Sequence, residues 1–329
     1  MNGSLGNLQF ALLLWLSLAL VVMAAGHALL PMQLERYLRI APGPRGLWLL
    51  AWAVAPVLLP ALGVILLFVP SLLTLLGIPA DHCHVHGGGH LHLCLIHPPA
   101  PIVDMLPLFF SLAALGLLSL HGLHFAQMAT LTLRTASTLG ASNSGAGKGY
   151  TVLDISDPQA FCLGWLRPRI FLSRGMLRML TAGELNVVLA HEQGHARRRD
   201  ALRLALAASL SLLYGPRLRG LLLSELVLAM EQACDEAAAT TCGDRLSVAE
   251  TLLCVERLGT ATSTKTVMCF GGNRSAERIA YLLEPGTPLL SAPLRAAAVV
   301  LAAVFLLVLA ANLDLYHHGI ESLLDHLIG

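Results

Sequence analysis

At 329 residues the chain has room for two ordinary domains, yet 56% of it is hydrophobic, only 12% is charged and its mean hydropathy is +0.70. Soluble chains are roughly a quarter charged, so most of this one does not face water, and intrinsic disorder, a collagen-like repeat and a disulfide-packed secreted module are excluded. The formal net charge of +1 offers nothing to a polyanion, and no direct contact with nucleic acid is expected.

A helix that crosses a bilayer needs about 20 apolar residues. Four stretches qualify, at about 8–25, 47–67 (continuing toward 78), 105–125 and 296–313. Pro56, Pro60 and Pro70 are expected to kink the second, which neighbouring helices tolerate. The leader MNGSLGN has no Lys or Arg, so the first stretch reads as a span and not as a cleaved signal peptide. Arg36, Arg39 and Arg45 lie between the first two stretches, none occurs from 46 to 133, and the other 18 of the 21 Lys and Arg fall between Arg134 and Arg295. The positive-inside rule then predicts an outer N-terminus, an outer loop at 79–103, an inner region over about 126–294 and an outer tail. The predicted fold is a mainly α integral membrane protein with four transmembrane helices and an α+β domain between the third and fourth. Its parts are 1–125, 126–294 and 295–329.

The outer loop concentrates six of the 14 His and two of the seven Cys in residues 81–97. Such tracts bind metals. A hairpin about Gly87–Gly89 would pair His86 with His90 and His84 with His92, with His82 and Cys94 nearby, a set suited to zinc or copper. A Cys83–Cys94 disulfide on an oxidising side is the alternative, and both readings stand. At the inner end of the third stretch His121 and His124 share a helix face, either as interfacial packing or as contacts to the domain that follows.

The run ASNSGAGKG at 141–149 reads as a linker. It lacks the Gly and the Ser or Thr that a phosphate loop requires around its Lys. Short β-like runs follow at 150–155 and 169–173, and Thr181 with Glu184 forms a capping-box pattern that opens a helix. On that helix stands His191-Glu192-Gln193-Gly194-His195, an HExxH sequence. Residues four apart lie one helical turn above each other, so both imidazoles can meet one ion. Glu192 is placed to take a proton from water that zinc has acidified.

Arg197–Arg199 end this helix, where the helix dipole and inner-leaflet lipid suit them. A helix at about 201–214, a turn at Gly215-Pro216 and a helix at about 220–240 follow. The last carries Glu231, a candidate third ligand in apolar surroundings that make an unpaired carboxylate costly. One turn on, Asp235 could orient a ligand histidine from behind. Cys234 between them reads as packing. With Cys162, Cys242, Cys254 and Cys269 it is expected to be reduced.

The stretch 161–200 followed by Glu231-Gln-Ala-Cys-Asp235 resembles the BlaR/MecR-type antirepressor metallopeptidases, membrane gluzincins with a zinc domain between their third and fourth transmembrane helices. The resemblance implies zinc on His191, His195 and Glu231, Glu192 as general base, and a substrate-pairing edge strand over Gly164–Ser173, with Gly164, Pro168, Ile170 and Leu172. It also implies a bacterial cytoplasmic membrane, a cytoplasmic site and proteolytic signalling in which a DNA-binding repressor is cleaved; the composition of the outer loop, apart from the resemblance, makes it a candidate metal-responsive element. The β-lactam sensor of those receptors has no counterpart in the sixteen residues after Leu313. Two other readings stay open. One is a quality-control metalloprotease of the heat-shock or CAAX-protease type, and the other a non-catalytic metal-binding receptor. The lipid bilayer is a partner in all of them, and a homodimer is one assembly they allow.

Overall fold

The computed structural model describes residues 2–38, 40–77, 95, 98–141, 149–261, 274–284 and 319. Its described residues divide into two compact units, one drawn from Met1–Gly26 and Ala55–Leu120, the other from His27–Val54 and His121–Leu289. Three long helices open the chain: α1 (Asn2–Leu38), α2 (Pro42–Leu75) and α3 (Met105–Ala141). Each carries an uninterrupted apolar window, and these are the three helices among the described residues that are long and apolar enough to cross a membrane. The expected four transmembrane helices are therefore corrected to three. The fourth stretch, 296–313, and the part of the outer loop that carries its histidines, Cys83 and Cys94 lie outside the described residues.

In the first unit Phe10, Leu14 and Leu67 form a buried cluster with Val64, Phe68 and Ile102 against it. The Gln9 amide donates to the Ile102 carbonyl and accepts from the Ile102 N–H, both at 2.8 Å. It satisfies an extended segment as a neighbouring strand would. Pro56 lacks the N–H that would bond the Trp52 carbonyl one turn earlier. In the second unit the Tyr214 hydroxyl donates to that carbonyl at 3.1 Å, a side-chain repair of the proline break.

The second unit contains a three-stranded sheet: β1 (Thr151–Leu153), β2 (Ala160–Leu163) and β3 (Arg169–Ser173), in the order β1-β3-β2. β3 pairs parallel with β1 and antiparallel with β2. Both its edges are used, which is why Ile170, Phe171 and Leu172 are all buried and why the run reads as continuously apolar. β2 was not foreseen from the sequence, since four residues between Pro158 and Gly164 give too short an alternation to count. Gly164 turns the chain out of β2 at φ +111°, where an added Cβ would lie 2.9 Å from the Arg167 carbonyl oxygen.

Helices follow in succession. They are α4 (Arg174–Met179), α5 (Ala182–Arg198), α6 (Asp200–Leu210) with a 3-10 turn to Leu213, α7 (Pro216–Cys242), α8 (Arg245–Ala261) and α9 (Ser275–Leu283). The expected capping box forms in full: Thr181 accepts from the Glu184 N–H while the Glu184 carboxylate accepts from the Thr181 N–H. Pro216 opens α7, and Gly243 closes it in the left-handed conformation. α5 packs on α7 through Val187, Ala190, Ala238 and Ala239, joined by Val248 and Ala249 of α8 and Leu282 of α9. Small residues on both faces let the two backbones approach, most of all at Gly194, where a Cβ would sit 3.1 Å from Cys234 Sγ.

Replacing Thr181 with Ala removes one half of the capping box, and α5 is expected to lose about 1 kcal/mol. Hydrogen exchange should report this as lower protection confined to the first turn of α5. Unchanged exchange there would mean that tertiary packing alone holds the helix start.

Candidate metal centre

α5 and α7 bring the HExxH residues and Glu231 to one point. His191 Nε2 and His195 Nε2 are 3.2 Å apart. The Glu231 carboxylate closes the triangle, with Oε2 3.5 Å from His191 Nε2 and Oε1 3.4 Å from His195 Nε2. Behind each ring is an acid: His191 Nδ1 lies 2.9 Å from Asp235 Oδ1, and His195 Nδ1 lies 2.8 Å from Asp200 Oδ2. The two aspartates are 1% and 5% exposed at the side chain.

Their ionised carboxylates only accept, so each Nδ1 carries the proton and each Nε2 presents a lone pair. Two ring nitrogens and a carboxylate therefore converge on one point. That donor set suits a cation with a preference for N and O ligands.

Charge follows from this geometry. Burial pushes the Glu192 carboxyl above the usual carboxylate range, and the two histidines only partly offset that. Burial also opposes ionisation of Glu231, but hydrogen bonds from His191 and His195 and the Arg278 charge hold it well below. For His191, burial disfavours the imidazolium, yet Cys234, Asp235 and Glu231 together raise it to about 10. His195 moves the same way against burial, with Cys234, Asp200 and Glu231 as the causes. In the metal-free protein a proton takes the place that the donor geometry offers to a cation.

Asp235 was expected from the sequence to stand behind a histidine, and it does; Asp200 and Arg278 were not. Asp200 reaches His195 because Arg199 adopts a left-handed conformation, φ 53° and ψ 46°, that ends α5 and starts α6 within one residue. An acid five residues after the second His was the available signal. Arg278 on α9 had none, since it lies 43 residues from Asp235.

Arg198 does not face lipid, as expected for Arg197–Arg199. It donates to the Met230 and Ala233 carbonyls at 3.1 and 3.0 Å and pairs with Asp200 at 3.0 Å. Cys234, read as packing, has its sulfur within 4.8 Å of a ring nitrogen of both histidines, making a His191/His195/Cys234 group the one candidate metal cluster of this kind among the described residues. Its Sγ also accepts from Arg198 Nη2 at 2.6 Å. His124, left open between packing and contact, bonds Ser209 Oγ of α6 at 3.0 Å.

A cavity of about 520 Å³ lies over the centre, bounded by Ala160, Phe161 and Cys162 of β2 on one side and by His191, Glu192 and Arg278 on the other. Of the residues expected on a substrate-pairing edge, two stand on a strand without a free edge. Ile170 and Leu172 belong to β3, whose two edges are already paired, and Pro168 only leads into it. The strand with an unpaired edge on this side is β2, and Gly164, at its end, does line the cavity.

Residues 123–257 match the profile of Peptidase family M48. Over 57 residues, 17% of the chain, the sequence is 39% identical to protease HtpX of Psychrobacter sp. (strain PRwf-1). The aligned part is 19% of that protein, so the chain spans about a fifth of the length of the curated relative it matches. No solved structure matches the chain.

The likeness is thus to the M48 peptidases and not specifically to the antirepressor receptors, which share the HExxH and distant-glutamate pattern from which the resemblance was drawn. Burial, the largest cause, with the nearby Glu192 charge pushes the Cys162 thiol up to about 12. Iodoacetamide is expected to label it on the order of 1,000-fold more slowly at pH 8 than a free thiol, with the rate still rising at pH 10. Labelling at the free-thiol rate would mean that the β2 side of the cavity is open to water. Taken together, the converging donors and the profile match describe a domain similar to the M48 zinc metallopeptidases, in a chain with three helices long and apolar enough to cross a membrane among its described residues.

Proposed function

We propose that the protein is an integral-membrane zinc endopeptidase, with His191, His195 and Glu231 as ligands and Glu192 as general base. The observation that carries the reading is the convergence of both Nε2 atoms and the Glu231 carboxylate within 3.5 Å of one another, with both Nδ1 protons already committed. Zinc, when bound, supplies polarisation of the scissile carbonyl and a water of lowered pKa. Glu192 takes the proton from the attacking water and returns one to the leaving amine. Its burial, which raises its proton affinity toward the working range, supports that role. The free edge of β2 offers backbone N–H and C=O groups to an extended peptide. Cavity walls from Met176, Val188, Val248 and Leu252 favour apolar substrate side chains.

Glu231 is preferred over Cys234 as the third ligand. Cys234 Sγ already accepts from Arg198 and contacts Asp200, the acid behind His195, whereas Glu231 faces both Nε2 atoms. Cys234→Ser is expected to retain one equivalent of zinc while Glu231→Gln loses most of it, read by metal analysis of the purified protein. The reverse order would make the centre His/His/Cys.

The HtpX likeness and the apolar cavity favour quality control of membrane proteins, and the distribution of Lys and Arg supports a site at the cytoplasmic face of a bacterial inner membrane. Protein N-termini compared between cells with wild type and Glu192→Gln test this. Many new termini, in apolar segments of several membrane proteins, are expected only with wild type, and the variant should lose on the order of 100-fold or more in rate with zinc retained. A single terminus in a DNA-binding repressor would restore the antirepressor reading. No difference would leave a non-catalytic metal receptor.

A further inference from the structure

Each histidine at the centre is backed by an aspartate, and each aspartate ends on an arginine, but the two arrangements differ. Asp200 is held by Arg198, its near neighbour in sequence, at 3.0 Å. Asp235 is held from elsewhere: Arg278 of α9 donates from Nε to Oδ2 at 2.8 Å and from Nη2 to Oδ1 at 2.7 Å, a two-pronged fork. The remaining nitrogen, Nη1, lies 3.0 Å from Glu231 Oε2, the oxygen nearer His191. A planar guanidinium presents its donors in a fixed fork, so the position of Arg278 sets two carboxylates at once. One is Asp235, which orients the His191 ring, and the other is Glu231 itself. The Arg278 side chain is 14% exposed, and each of its three nitrogens faces one of these two carboxylates.

α9 lies outside residues 123–257, the part that matches the M48 profile. Its docking has supports that do not touch the centre. Arg274 at its start donates to Glu225 at 2.8 Å and pairs with Glu277, the Gln232 amide donates to the Glu277 carbonyl at 2.9 Å, and Leu282 enters the α5–α7 core.

We propose that Arg278 is a positioning residue for the metal centre and that α9 is the strap that delivers it, fixing the Glu231 carboxylate and the Asp235–His191 pair in one move. The inference rests on the reading of the site as a metal centre. Without Arg278, Asp235 is a buried carboxylate facing one imidazole and Glu231 is free to rotate, so two of three donors lose their orientation. Lys cannot reproduce the fork.

Cobalt(II) substitution in the full-length, detergent-solubilised protein tests it, since the visible d–d bands read ligand geometry independently of activity. Arg278→Gln is expected to weaken cobalt binding 10- to 100-fold and to shift the bands, and Arg278→Lys to fall between it and wild type. Arg274→Gln loosens the strap without touching a donor. It should lower the midpoint of thermal unfolding and leave bands and affinity unchanged. Wild-type bands and affinity in Arg278→Gln would overturn the proposal, as would equal perturbation by Arg274→Gln, which would make Arg278 merely one of the contacts that dock α9. Arg278→Lys retains the charge and serves where the Gln variant does not fold; wild-type behaviour there also counts against the proposal. Absence of cobalt binding by the wild type would instead overturn the metal-centre reading, and this inference with it.

Discussion

The site is governed by where two protons reside. Asp235 and Asp200, both buried, each accept from the Nδ1–H of a histidine, Asp235 from His191 across the α5–α7 contact and Asp200 from His195 across the bend at Arg199. Once those tautomers are set, the Nε2 atoms have only lone pairs to offer, and they point at each other and at Glu231. An arrangement of three acceptors at contact distance is repulsive unless a positive charge enters. Both histidines are shifted upward against burial, first by Cys234 and then by the aspartate behind each ring and by Glu231.

Such a cluster is expensive to hold in a fold. Buried ionic groups rarely add stability when weighed against apolar residues of the same volume, and here His191, His195, Glu231, Asp200, Asp235, Arg198 and Arg278 sit together. The surrounding structure supplies what they need. The close passage of α5 over α7 at Gly194 and Cys234 brings the two ligand-bearing faces within reach. The left-handed Arg199 folds Asp200 back onto the helix that has just ended. Arg198 anchors the last turn of α5 to carbonyls of α7. These departures from regular geometry cluster around the centre, where functional strain is generally found.

The spacing of HExxH and the apolar run around Glu231 were enough to point to a metallopeptidase-like domain, because both depend on helical periodicity alone. They were not enough to choose between peptidase families that share the same ligand pattern, which is why the antirepressor resemblance gave way to the M48 likeness. The free edge of the sheet was not legible for a related reason. β3 is the more apolar strand and reads more strongly, but strength of pattern reflects burial between neighbours, and a strand buried on both edges has none to offer. The weaker, half-exposed β2 carries the free edge.

Local order in the sequence determined the apolar helices, the capping box at Thr181, the pair of histidines on one face of α5 and the acid pair Glu231 and Asp235 on α7. All of these are decided by contacts within a turn or two of chain, and residue type and spacing record them directly. The tertiary structure alone decided which aspartate backs His195, which arginine holds Asp235, which hydroxyl satisfies the carbonyl freed by Pro56, and which strand borders the cavity. Each is a pairing between groups whose separation along the chain leaves no periodic trace, made specific only when packing removes water and every buried charge or backbone group must find a partner.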